Sequence, residues 1–231
     1  MSEHLPRRQA LLLGAASLLS ACASPPPPSA HPEGWHEFAL PGKRRNRYRS
    51  VVKEGRTAFE AVSDHSASLW RRRLSIPAAR VGPVSFSWWV EGLLAESDVS
   101  DSAREDAVAR VIFGFDGDHR RLSGATRAQF ELAELLTGET PPYATLMYVW
   151  ERRAPVEAVI TNPRSDRIRK IVLDTGASQL GRWRDHRRHL AQDFERAFGE
   201  PPGDLVSVAF MTDSDNTRGR ARSWYGPLSF G

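Results

Sequence analysis

The chain has 231 residues, 40% of them hydrophobic and 26% charged, with a formal net charge of +4. This is an ordinary globular profile, long enough for one large domain or two small ones. The charge is small and both signs are interspersed, so a nucleic-acid partner is not implied. The single cysteine, Cys22, leaves no internal disulfide, and an odd cysteine in an exported chain calls for an explanation.

The N-terminus supplies one. Arg7-Arg8 precede a short apolar stretch, Gln9–Leu19, and Leu19-Ser20-Ala21-Cys22 follows. This order of positive, apolar and small-residue segments is that of a secretory signal, and the apolar part is too short for a permanent span. Leu-Ser-Ala-Cys resembles the lipobox of bacterial lipoproteins, in which the cysteine thiol accepts lipid and becomes the first residue after cleavage. Residues 1–21 are therefore expected to be a signal peptide, exported by the general or the twin-arginine route. Cys22 is the expected lipidation site and hence the membrane contact. Ala23 rather than Asp follows it, which implies the periplasmic face of the outer membrane. The rest of residues 22–33, with Pro25–Pro28, reads as a stiff extended tether.

Residues 34–231 read as the folded domain. Trp35 and Phe38 open it. Strands are expected at Arg47–Val52 and Thr57–Ser63, while Ser66–Leu74 fits either strand or helix. Val84–Leu94 is the clearest strand, with Val84, Phe86, Trp88 and Val90 on one face and Ser85, Ser87, Trp89 and Glu91 on the other. Ala107–Phe115 and Ala144–Glu151 show the same alternation. Between them, Ala128–Leu136 has helical spacing, with Thr126 as N-cap and Gly138 as the stop. Val156–Thr161 and Arg167–Leu173 are two further strands. Trp183–Phe198 is expected to be a second helix, since Trp183, His186, Leu190, Phe194 and Phe198 recur every three or four residues, with Gly199 as C-cap. Leu205–Met211 and Trp224–Phe230 are expected to close the fold as a hairpin around the acidic turn at Asp213. Strands dominate without a βαβ rhythm, so the expected fold is mainly β: an antiparallel two-sheet β-sandwich, jelly-roll-like, with two short helices.

Three features carry candidate chemistry. Trp89 shares a strand face with polar residues, as indoles that stack on sugar rings do, and Glu91 lies beside it. Asp213, Asp215 and Asn216 are hard oxygen ligands of the kind Ca²⁺ prefers, though without the spacing of an EF-hand. The same turn could instead hold Arg187 or Arg188 in charge-assisted bonds as a purely structural latch. His186-x-x-His189 falls within one helical turn, but the surrounding arginines disfavour a cation. For hydrolysis, Glu91, Asp116, Asp118, Asp213 and Asp215 are the available carboxylates, and no nucleophile elbow, zinc motif, phosphate loop or dinucleotide fingerprint is present.

Several segments together resemble the bacterial DUF3047 family, which has no known function. They are Phe86-Ser87-Trp88, Arg110–Phe115, Leu146–Trp150, Lys170–Gly176, Trp183 with Arg187-Arg188 and Asp193-Phe194, and Val206–Thr217 with Tyr225–Phe230. The resemblance spans Gly34 to Phe230 and implies a single mainly β domain in the cell envelope. His186 and His189 depart from the acidic or amide residues expected at those positions. The expected function is non-catalytic binding of an envelope ligand such as a glycan, with Trp89, Glu91, Arg187 and Arg188 as ligand contacts. A polysaccharide hydrolase and an interaction component of an envelope assembly are the alternatives.

Overall fold

The computed structural model describes Met1 and residues 34–231, so the signal peptide, Cys22 and the tether fall outside the described residues. Among the described residues, thirteen strands form two packed sheets, accompanied by two α-helices. The strands are β1 (Trp35–Ala39), β2 (Arg47–Lys53), β3 (Arg56–Asp64), β4 (Ser68–Ile76), β5 (Pro83–Val90) and β6 (Ala109–Phe115). After helix α1 (Gly124–Thr137) come β7 (Ala144–Glu151), β8 (Val159–Asn162), β9 (Ser165–Thr175) and β10 (Trp183–His189). Helix α2 (Leu190–Phe198), β11 (Leu205–Met211), β12 (Arg220–Tyr225) and β13 (Ser229–Phe230) complete the chain.

Sheet A runs β1-β4-β11-β6-β7-β9-β8, and sheet B runs β10-β5-β12-β3-β2, with β13 continuing beside β5. All pairings are antiparallel except β7 with β9, so the two-sheet sandwich is as expected but one ladder is parallel. The alternation seen in the sequence sets the core. Val84, Phe86, Trp88 and Val90 of β5 face Val111, Phe113 and Phe115 of β6 and Leu146, Tyr148 and Trp150 of β7, all buried. Aromatic pairs bridge the layers, with Phe210 stacked on Tyr225 at 4.7 Å and Phe86 on Tyr148 at 5.7 Å. Such pairs add specificity to the area that they bury. Helix α2 closes one end through Leu190 and Phe194, the latter 4.7 Å from Phe115. Among the described residues no helix is long and apolar enough to cross a membrane.

Several expected elements differ. The second helix begins only at Leu190; Trp183–His189 is strand β10, paired with β5 from Trp183↔Trp89 to His189↔Pro83. The apolar residues of that stretch fit a helical period, but its polar residues alternate. Arg184, His186 and Arg188 turn to buried carboxylates while Asp185, Arg187 and His189 turn to solvent, so tertiary pairing overrides local spacing. His186 and His189 therefore lie on opposite faces and cannot share a metal. The closing hairpin is also absent: β11 belongs to sheet A and β12 to sheet B, and residues 212–219 cross from one sheet to the other. The last strand breaks at Gly226-Pro227, where proline has no N–H to give the ladder, and resumes as β13. Ser66–Leu74, ambiguous in sequence, falls largely in strand β4, Ser68–Ile76. Helix α1 starts earlier than expected, capped by the Ser123 hydroxyl accepting from the Thr126 N–H at 3.1 Å, and it stops at Gly138 with φ of 73° as anticipated.

Candidate functional site

The outer face of sheet B, away from the core, is a grid set by strand register. Its first row is Trp183, Trp89 and Trp224, on β10, β5 and β12. The second is Asp185 beside Ser87, and the third Arg187, Ser85 and Ser229. The lower two rows border an open trough of about 590 Å³, lined also by Arg56, Thr57 and Pro227. Gly226 is needed at its edge, because a Cβ there would lie 2.2 Å from the Ser87 hydroxyl and 3.6 Å from the Trp183 ring.

The tryptophan row is not an open stacking platform. Trp89 is 8% and Trp224 5% exposed, and the two rings meet edge to face at 4.8 Å. Lys53 lies over both, its ammonium 3.8 Å from the Trp89 centroid and 4.5 Å from that of Trp224, a cation–π arrangement. Trp89, expected as a ligand contact, is thus covered by its own neighbours. Trp183, which sequence spacing had assigned to a helix, is the half-exposed indole of the row. It donates from Nε1 to the Lys53 carbonyl at 3.2 Å.

Polar groups of the trough divide into committed and free. Asp185 accepts from Arg56 at 2.6 Å. Arg187 is exposed and, like the side-chain hydroxyls of Ser85, Ser87 and Ser229, has no hydrogen-bond or ion-pair partner among the described residues. The other predicted contacts lie elsewhere. Glu91 follows β5, exposed, 3.8 Å from Arg222. Arg188 faces inward, bonded to Asp193 at 2.8 Å and to Glu157 at 2.7 Å, and Asp193 also accepts from the Tyr148 hydroxyl at 2.6 Å.

A buried carboxylate holds β10 in place beneath the trough. Asp174 of β9, 3% exposed, accepts from Trp88 Nε1 at 2.8 Å, His186 Nε2 at 2.9 Å and Arg184 Nε at 3.0 Å. Burial raises the pKa of this carboxyl, but the bonds from His186 and Trp88 outweigh that and hold it below the usual range. One residue of sheet A thereby fixes two strands of sheet B. Sequence reasoning missed Asp174, since a lone Asp in an apolar strand carries no spacing signal.

The acidic turn joins the two sheets at another corner. Oxygens of Asp106, Asp213 and Asp215 lie within 4.8 Å of one another, and each carboxylate is already engaged. Asp106 accepts from the Asn216 and Thr217 N–H groups and the Thr217 hydroxyl. Asp213 accepts from the Ala107 N–H at 2.9 Å and from Arg110 at 2.9 Å. Asp215 is paired with Lys43, and the Asn216 amide donates to the Ser102 carbonyl. Ca²⁺ asks for six to eight oxygens, whereas these carboxylates are already engaged by Arg110, Lys43 and the N–H and hydroxyl donors of the turn. The contacts a latch requires are present, and they come from Arg110 and Lys43 rather than from Arg187 and Arg188. Burial, only partly offset by Arg110, pushes the Asp213 carboxyl up to about 7.

Fold and site together define a two-sheet β-sandwich carrying a polar, partly aromatic trough on the outer face of one sheet. The chain belongs to the DUF3047 family, described as a protein of unknown function, whose model matches residues 33–229. No curated protein matches it in sequence. Solved structures similar to it include a family 11 carbohydrate-binding module of the cellulosomal cellulase Lic26A-Cel5E of Clostridium thermocellum (9% identity, 84% of this chain and 85% of that one, TM-score 0.39). The xyloglucanase domain of NopAA, a type three effector from Sinorhizobium fredii, in complex with cellobiose, is 8% identical over 84% of this chain and 96% of that one, with TM-score 0.40. A variant of the Cel12A cellulase of Rhodothermus marinus is 13% identical over 84% and 94%, with TM-score 0.43.

Proposed function

We propose that the domain is a non-catalytic glycan-binding module of the cell envelope, tethered by a lipidated Cys22, and that it holds its ligand in the trough on sheet B. The observation that carries this reading is a strip of free polar groups at the trough, the unpartnered hydroxyls of Ser85 and Ser229 and the unpaired Arg187, with the half-exposed Trp183 indole in the outermost row of the same face. A sugar offers many hydroxyls and one apolar ring face, and this strip meets the first with hydroxyls and the second with an indole. Arg187 favours a glycan that carries carboxylates. Glycoside hydrolysis needs two carboxyl groups across the bond. Of the residues lining the trough, Asp185 alone is a carboxylate, and Arg56 holds it, so binding is favoured over cleavage.

Native affinity electrophoresis against neutral and uronic-acid polysaccharides tests this. Retardation by a uronic-acid polymer is expected, and Arg187→Ala should remove most of it without altering the melting temperature. Equal retardation of the variant would sink the assignment. The anchor is tested separately: Cys22→Ser should abolish palmitate labelling and release the protein from membranes.

A further inference from the structure

The outer face of sheet A carries a groove of about 610 Å³ whose chemistry differs from that of the trough. Its floor is the aliphatic cluster Ile112, Ala209 and Met211 with Met147 beside it. One row of the floor runs Arg71, Ala209, Ile112 and Met147 across four strands, roughly 14 Å at the usual strand spacing. Helix α1 forms one wall with Leu132 and Leu136, which are 56% and 59% exposed. Phe38 and Leu40 stand on the other. At one end the loop after α1 presses onto the sheet, so that a Cβ on Gly114 would lie 2.7 Å from Pro142 Cγ.

We propose that this groove is a second, independent ligand site, which takes a free long-chain carboxylate with its acyl chain along the aliphatic floor. Three observations select that occupant. The floor lies in mid-sheet, where strands on both sides already use the backbone N–H and C=O groups. A peptide or glycan laid there would leave its own polar groups unpaired, which is costly; an alkyl chain has none. The leucines of α1 face the groove without covering it, leaving apolar area for a ligand to bury. For the headgroup, the terminal nitrogens of Arg110 and Arg71 are held by Asp213 and Glu139, and the Nε–H of each is buried without a partner. Both side chains line the groove beside the aliphatic floor, and an anionic oxygen that reaches an Nε–H would give it the acceptor it lacks.

The test is displacement of a fluorescent fatty acid from the full chain by a homologous series from octanoate to hexadecanoate. Affinity should rise about fourfold per added methylene and level off when the chain meets the closed end at Pro142. The primary alcohol of the same length should bind about tenfold more weakly. Leu136→Glu, a change at an exposed position, should weaken binding about tenfold while leaving the melting temperature and polysaccharide retardation unchanged. That last readout separates this site from the trough. Failure of every carboxylate to displace the probe would overturn the proposal. So would equal binding by Leu136→Glu, which would mean adsorption to the apolar N-terminal stretch, and so would equal affinity for acid and alcohol.

Discussion

Asp174→Ala is the most informative single change. The substitution removes an acceptor that serves three donors at the seam between the sheets. Trp88 is 0% exposed, so its indole N–H is left buried and unpaired at a cost of about 1–3 kcal/mol. His186, with its side chain 11% exposed, loses a bond to a charged acceptor, about 1.5–3 kcal/mol. Arg184 can reach water and adds little. The total is about 4 kcal/mol, a large share of the roughly 5–15 kcal/mol that holds most domains together. At about 2–4 °C per kcal/mol for a chain of this size, the melting temperature should fall about 8–16 °C. Differential scanning calorimetry at neutral pH reads this directly. A double-mutant cycle with Trp88→Phe should give a coupling of about 1–2 kcal/mol. The pH dependence follows from the depressed carboxyl: stabilisation is complete above the unfolded pKa of about 3.9 and is lost as the pH falls through the lower folded value. A drop of less than about 3 °C, with no coupling to Trp88, would refute the seam. Because Asp174 also holds the inner side of β10, the variant should weaken any ligand that depends on Asp185 and Arg187 on its outer side.

Other consequences can be checked alongside. Asp213 has the opposite pH sign, since its folded pKa is raised to about 7. Its contribution is complete below about 3.9 and lost as pH rises through the folded value, and Asp213→Asn should remove a carboxyl infrared band that titrates near neutrality. If the acidic turn acts as a latch held by Arg110 and Lys43, neither Ca²⁺ nor EDTA should move the melting temperature. A rise of several degrees with Ca²⁺, abolished by Asp215→Ala, would contradict the latch. Gly226→Val should crowd Ser87 and Trp183 and reduce polysaccharide binding more than stability, which urea titration beside affinity electrophoresis resolves.

The sandwich was legible because its core strands alternate cleanly: Val84, Phe86, Trp88 and Val90 have one destination in either a sheet or a barrel. The β10–α2 boundary was not, because the apolar residues from Trp183 to Phe198 fit a helical period and only pairing with β5 decides the matter. The same error hid the trough. Once Trp183–His189 is a strand, Asp185 and Arg187 share a face with Ser85 and Ser87, a neighbourhood no local spacing reveals. Trp89 was placed correctly on the polar face, but Lys53, far away in sequence, lies over it. The acidic turn was singled out for its residue types, and its partners Arg110 and Lys43 come from β6 and the loop after β1, so its role as a latch depended on long-range contacts.

The central claim is that the sheet B trough binds a glycan through Arg187 and the hydroxyls beside it. The most direct measurement is affinity electrophoresis of the protein and of Arg187→Ala in gels containing uronic-acid polysaccharide. The account predicts clear retardation of the first and near-free migration of the second, with identical melting temperatures. Unretarded migration of both, or equal retardation of both, would contradict it.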